Sequence, residues 1–391
     1  MDFEALKALD DTYVAHTYAR FDVGLVRGQG ATAWDDAGAD YIDFTSGIGV
    51  NALGFADRAW AEAVFHQLTT LQHTSNLYYT EPCAQLAQSL AERTGLKKAF
   101  FANSGAEANE CAIKCARKYS RDRYGAGRAT IVTLVNSFHG RTLTALSATG
   151  QAHFHQHFFP FTEGFAFAPS DDIDAARAVI TPDVCAVMIE LVQGEGGVMP
   201  LDRGYVRAMA QLCAERDLLL IVDEVQTGMG RTGTLFAFQQ YGLLPDVVTC
   251  AKGLGGGLPI GAALMGERAM NVLGPGDHAS TFGGNPAVCA GAQAVLDRLN
   301  ENLLAEVAKK GDYIGRRLRE MPHVTAVDGM GLMLGATLQG VEAADVVKAG
   351  LRRGVMTLTA KKKLRLLPPL TIATAELELG LTRLEAALKG V

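Results

Sequence analysis

Six short apolar runs recur along the chain: Lys98–Ala102, Thr130–Val135, Val184–Ile189, Leu218–Val222, Val247–Ala251 and Ala262–Met265. Each is rich in Val, Ile, Leu, Phe or Ala, and near-continuous apolarity fits strands buried on both faces, because a half-buried strand would alternate. Helical patterns lie between them. The clearest is Glu107–Tyr119, with Ala108, Cys111, Ala112, Cys115, Ala116 and Tyr119 on one face and an i,i+4 pair, Glu110 and Lys114, on the other. This alternation predicts an α/β fold with a mostly parallel, doubly wound sheet.

The ends read differently. Residues 12–45 carry strand-like pieces, Leu25–Val26 and Tyr41–Phe44, around Gly-rich turns. Beyond Pro286 come helical patterns at Ala287–Asn300 and Leu303–Glu320, strand-like Val324–Val327 and Leu332–Leu338, and helices near Ala343–Arg353 and Glu376–Lys389. The expectation is a large domain over residues 46–271 and a smaller α+β domain built from residues 1–45 and 272–391, with Gly274-Pro275-Gly276 near the boundary.

Composition removes several function classes. With 36 basic and 42 acidic side chains the net charge is −6, and the basic footprint of a nucleic-acid binder is missing. No apolar run, Leu218–Val222 included, approaches the roughly 18 residues of a membrane helix. Met1–Asp11 is acidic and amphipathic, unlike a secretory signal. Seven scattered cysteines without a C-x-x-C pair fit reduced thiols in the cytoplasm rather than a zinc site.

In open α/β sheets ligands sit at the carboxyl ends of strands, so the residues after each run matter most. After Lys98–Ala102 comes Asn103-Ser104-Gly105-Ala106 at the start of a helix, a ready anion site that suits a phosphate; a plain N-cap is the alternative. After Leu218–Val222 comes Asp223-Glu224-Val225-Gln226, where a buried Asp223 needs a cationic partner, either an arginine or a ligand, and Val225 shares its face. After Val247–Ala251 comes Lys252, followed by Gly253-Leu254-Gly255-Gly256-Gly257. A desolvated lysine becomes a nucleophilic amine, whereas a snorkelling one stays an ordinary cation. Phosphate cradle, carboxylate and amine together describe a site for pyridoxal 5'-phosphate.

The chain resembles the class III aminotransferases of the fold-type I pyridoxal-phosphate superfamily over essentially its whole length. The motifs that carry the likeness are Asn103–Asn109, Ser137-Phe138-His139-Gly140-Arg141-Thr142, Gln193-Gly194-Glu195-Gly196-Gly197, Asp223–Arg231, Ala251-Lys252-Gly253, Ser280–Pro286 and Arg365–Leu370. The resemblance implies a seven-stranded sheet and a homodimer with shared active sites. Lys252 would bond to the cofactor and shuttle a proton, and Asp223 would keep its pyridine nitrogen protonated. Phe138 and Val225 would sandwich the ring, and Gln226 would reach its hydroxyl. Gly105 and Ala106, with Ser104, would hold the phosphate, and Thr281 would reach the phosphate in the other subunit.

For substrates, the resemblance makes Arg141 a carboxylate-binding arginine, with Tyr18 and Ser280 as further contacts. Glu195 would neutralise Arg365 while a basic ω-amino substrate reacts, then swing away so that Arg365 binds the α-carboxylate of glutamate or 2-oxoglutarate. The likeness within the family is greatest to members that take N-acetylornithine as amino donor in arginine biosynthesis. Gly47 supports this, since family members acting on free ornithine carry a tyrosine there and an acetylated α-amine needs the volume. Succinylornithine, ornithine, acetyl-lysine-type donors and 4-aminobutyrate are the alternatives, and a non-catalytic binding module of the same fold is a remote one.

Some features depart from this pattern. Leu191 stands where the family usually has proline, and Thr357–Lys363 is unexpectedly basic, which reads as a solvated turn. Gly228-Met229-Gly230-Arg231-Thr232-Gly233 matches G-x-G-x-x-G but starts five residues after Asp223, so it is a poor dinucleotide fingerprint. His153, His155 and His157 would share one face of an extended segment and suit a metal, but a loop at the mouth of the site is the preferred reading and no metal is expected.

Overall fold

The computed structural model describes all residues 1–391. The six apolar runs all form strands of one seven-stranded sheet. Its order is Lys98–Ala102, Gly261–Met265, Val247–Cys250, Leu219–Asp223, Val184–Ile189, Thr130–Leu134 and Phe165–Ala168. Phe165–Ala168 is not among the six runs although its four residues are all apolar; it is short and lies on the sheet edge, with only Ala168 fully buried. Gly261–Met265 runs against both its neighbours, while the remaining neighbours are parallel.

Every residue of Val184–Ile189 and Leu219–Asp223 is buried. Each buried Val, Leu or Ile contributes roughly 1.5–3 kcal/mol relative to exposure, which holds these central strands in place. The helix Gly105–Tyr124 buries the expected face and begins two residues before Glu107. The earlier start has a local cause. Ser104 Oγ accepts from the Glu107 N–H at 3.2 Å while the Glu107 carboxylate accepts from the Asn103 N–H at 2.8 Å, a reciprocal cap.

The terminal segments interlock. Leu25–Gln29, Thr32–Asp35 and Asp40–Asp43 form an antiparallel meander, and Val355–Met356 adds to Asp40–Asp43 in parallel. Val324–Met330, Met333–Leu338, Lys363–Leu366 and Leu358–Ala360 form a separate antiparallel sheet. Buried Arg231 donates to the main-chain oxygens of Leu332 at 3.0 Å and Pro368 at 2.5 Å, tying the loop after Asp223 to this C-terminal part.

The basic turn before Arg365 is not simply solvated. Lys361 and Lys362 are exposed, as a solvated turn requires, but Lys361 also donates to Asn136 Oδ1, and the half-buried Lys363 pairs with Asp328 at 2.6 Å. Apolar alternation says nothing about such long-range polar tethers. Residues 228–233 form turns around Met229, whose φ is +57°, and open no helix. His153 and His155 fall in a single turn of 3₁₀ helix, Ala152–His155, and His155 Nε2 meets the Leu146 carbonyl at 2.8 Å, so the three histidines do not line one extended face. No helix is long and apolar enough to cross a membrane.

Candidate active site

The carboxyl ends of the parallel strands open onto a cavity of about 690 Å³. Three successive strand ends and one helix start supply its chemistry, each fixed by the packing just described.

The helix start brings Ser104, Gly105 and Ala106 to the wall. The first N–H groups of a helix have no partner within it and present partial positive charge, so this wall suits an anion. Ser104 serves both as the cap and as cavity lining. Close approach is required here: a Cβ on Gly105 would stand 2.7 Å from Val225 Cγ1, and one on Gly261 would stand 2.1 Å from the Ser104 carbonyl oxygen.

Asp223 ends its strand 4% exposed. Its Oδ2 lies 2.8 Å from both Asn109 Nδ2 and His139 Nδ1, and its Oδ1 accepts from the Val225 N–H at 3.0 Å. Burial opposes a charge on His139, but the Asp223 hydrogen bond and the charges of Asp223 and Glu190 outweigh it, so its pKa rises above the ordinary histidine value. Its Nε2 is buried without a partner.

Lys252 follows Val247–Cys250 with φ +39°, a left-handed conformation costing on the order of 1–2 kcal/mol for a residue with a Cβ. Burial lowers its pKa, although Glu195, Asp223 and Glu190 oppose that effect with their charges. The result is an amine more readily neutral, and hence nucleophilic, than a surface lysine.

Glu195 lines the same cavity and ion-pairs with Arg365, which is 3% exposed. Gln226 joins them: its Nε2 lies 3.3 Å from Glu195 Oε1, and its Oε1 accepts from Arg365 Nη1 at 3.4 Å. Burial pushes the Glu195 carboxyl up, but Arg365 beside it wins and holds it below the usual carboxylate range. Arg141 also borders the cavity, its guanidinium 4.2 Å from the Phe154 ring and 5.6 Å from the Phe138 ring.

Ten of the expected residues therefore share one cavity: Ser104, Gly105, Ala106, Phe138, Arg141, Glu195, Asp223, Val225, Gln226 and Lys252. Arg365 joins them through Glu195, and Ser280 through Asn103, whose Nδ2 donates to its Oγ at 3.2 Å. Tyr18, Gly47 and Thr281 lie outside the lining; all three are exposed, Tyr18 at 75%.

The lining also contains His139, Asn109 and Glu190, to which the sequence reading gave no role. The signal for Glu190 is the one that exposed Asp223, an acid at the end of a fully apolar strand. His139 and Asn109 lie far from Asp223 in sequence and carry no such mark.

The residues fit pyridoxal 5'-phosphate. Gly105 lets the start of its helix pack close against Val225, the helix N-terminus suits a phosphate, and the buried Asp223 carboxylate and Lys252 amine line the same cavity. When bound, that cofactor is an electron sink for the carbon next to a substrate nitrogen.

Known proteins give the same picture. The class-III aminotransferase family model matches residues 13–388. The acetylornithine aminotransferase of Haemophilus ducreyi is 56% identical over 390 residues, covering 99% of both chains. Among solved structures, N-acetylornithine aminotransferase from Stenotrophomonas maltophilia K279a superposes with a TM-score of 0.84 at 37% identity, covering 98% of both chains. The ornithine aminotransferase of Toxoplasma gondii, whose structure describes partial occupancy of PLP at its active site, superposes at 0.93 with 33% identity, covering 99% of this chain and 94% of its own. The fold, the cavity and these likenesses agree: the chain is an aminotransferase and belongs to the class-III family.

Proposed function

We propose that this enzyme uses pyridoxal 5'-phosphate to move the δ-amino group of N2-acetyl-L-ornithine to 2-oxoglutarate, giving N-acetyl-L-glutamate 5-semialdehyde and L-glutamate, as in arginine biosynthesis. The Glu195–Arg365 pair beside Lys252 carries this reading, together with the full-length likeness to acetylornithine aminotransferases. A donor whose reacting end carries no carboxylate meets an arginine already neutralised by Glu195. A donor or acceptor with an α-carboxylate needs that arginine free, so one cavity serves two charge layouts.

The chain's own groups divide the work. The buried Lys252 amine would hold the cofactor covalently and, when free, would carry the proton at the substrate carbon. Asp223, held by His139 and Asn109, keeps the ring nitrogen charged. Phe138 and Val225 would bound the ring, Gln226 would serve its hydroxyl, and Ser104, Gly105 and Ala106 would hold the phosphate. Arg141 binds the carboxylate of the acylated donor, helped by Tyr18 and Ser280.

We place the catalytic half in residues 46–271 and the smaller domain in residues 1–45 and 272–391, and we propose a cytoplasmic homodimer. Phe65, Leu77, Tyr78 and Phe282 are 68%, 87%, 70% and 62% exposed, an apolar surface that a second copy would cover, bringing Thr281 to its neighbour's site. The test is a set of half-reactions. Purified holoenzyme is mixed with N-acetylornithine, N-succinylornithine, ornithine or 4-aminobutyrate, and the cofactor absorbance is followed. N-acetylornithine reacts fastest; a faster reaction with any of the others rejects the assignment.

A further inference from the structure

Glu190 stands at the end of Val184–Ile189, beside Asp223. The two strands are in parallel register through Ile189 and Val222, so the next residue on each is a carboxylate, on strands about 4.8 Å apart. Both acids are buried and both line the cavity. One oxygen of Glu190 accepts the Phe138 N–H at 2.9 Å. That bond leaves the second oxygen free to meet charge in the cavity. His139, next to Phe138, holds Asp223 from the other side.

The charged groups facing Glu190 are His139 from the turn after Thr130–Leu134, Asp223 on the adjoining strand and Lys252 after Val247–Cys250. In the chain alone, burial pushes Glu190 up to about 7, with Asp223 adding to the rise and His139 and Lys252 opposing it. A pyridinium placed against Asp223 introduces a further cation into this group, and a nearby cation favours the ionised carboxylate.

We propose that Glu190 is a positioning residue that anchors the Phe138 main chain and supplies the second negative charge of the site, giving up its proton when the ring cation settles beside Asp223. Asp223, already shared with His139 and Asn109, is thereby not the sole counter-charge to a cationic ring. This inference rests on the cofactor assignment above and concerns a group that assignment leaves without a role.

The test counts protons. Cofactor-free protein is titrated with pyridoxamine 5'-phosphate, which makes no covalent bond to Lys252, near pH 6.5 in buffers of different ionisation enthalpy. The wild type releases close to one more proton per site than Glu190→Gln, an amide that still accepts the Phe138 N–H. Wild-type affinity also rises several-fold from about pH 6 to pH 8, and Glu190→Gln flattens that rise. Equal proton counts with intact binding overturn the role of Glu190 and leave the cofactor assignment standing. Failure of the wild type to bind the probe overturns both. Glu190→Asp, which keeps the charge, restores the proton release; if it does not, the charge is not the cause.

Discussion

Arg365 and Glu195 form an ion pair in which the guanidinium is almost wholly buried and the carboxylate borders the cavity. Arg365 comes from the C-terminal antiparallel sheet and Glu195 from the loop after Val184–Ile189, so the site is closed by segments far apart in sequence. Removing one partner leaves a buried charge unpaired, which is costly unless a ligand replaces it. Glu195→Gln is expected to lower the KM for 2-oxoglutarate by about threefold to tenfold, because its carboxylate no longer competes for Arg365. The same change lowers kcat/KM for N-acetylornithine. Separate rates for the two half-reactions check this, and parallel changes in both would count against a gate.

Lys252 is the only lysine lining the cavity. Lys252→Ala should still bind the cofactor through the helix N-terminus and Asp223, yet lose at least about 10⁴-fold in turnover, since nucleophile and proton carrier vanish together. Borohydride followed by peptide mapping gives the check: the wild type carries the label on Lys252, and the variant carries none.

Gly105 leaves no room for a side chain. A Cβ there would press on Val225 at 2.7 and 2.9 Å. Gly105→Ala should weaken cofactor affinity by about tenfold or more through displacement of Val225, with a smaller effect on the melting temperature. Equilibrium dialysis of the cofactor alongside thermal unfolding separates the two effects.

Gly47 has φ +59°, and its Cβ position lies 3.6 Å from Asn51 Nδ2. Gly47→Tyr should reduce kcat/KM for N-acetylornithine more than for ornithine. Gly47→Ala carries the same backbone penalty, about 1–2 kcal/mol, without the bulk. If the two variants discriminate equally between the donors, volume at this position does not set the preference.

Glu224 is fully buried, and burial pushes its carboxyl up to about 7, above an ordinary value of 4.5. A folded-state pKa above the unfolded one means that the native chain binds more protons in between. Its contribution is therefore fully present below about pH 4.5 and is lost as pH rises through 7, by an amount of order 3 kcal/mol. The melting temperature of the cofactor-free protein should fall between pH 5 and pH 8, and Glu224→Gln should flatten that fall even if the variant is less stable overall. Unfolding scans across this range provide the measurement.

Much of this was legible before folding. Six of the seven central strands announce themselves by apolarity, because burial on both faces leaves no alternation to confuse the pattern. Asp223 and Lys252 stand out because a charged residue directly after such a strand is expensive unless something pairs with it. His139 and Asn109 carry no comparable signal: Asp223 meets them only after the sheet and the helix Gly105–Tyr124 have assembled. The tether of Lys361 to Asn136 depends on tertiary position in the same way, whereas the edge strand Phe165–Ala168 is an apolar run too short to stand out. Tyr18 and Thr281 are exposed and lie outside the cavity of the single chain, so the cavity carries no trace of the contacts expected of them.

The reversed strand Gly261–Met265 has a metric consequence. It lies between Lys98–Ala102, which leads to the Ser104 turn, and Val247–Cys250, which leads to Lys252. The two backbones are thereby set two ladder spacings apart, roughly 10 Å. The sheet works as a ruler: a molecule gripped at both ends must be long enough to cover that gap. Unphosphorylated pyridoxal is too short to engage both grips and should dissociate far faster than its phosphate ester.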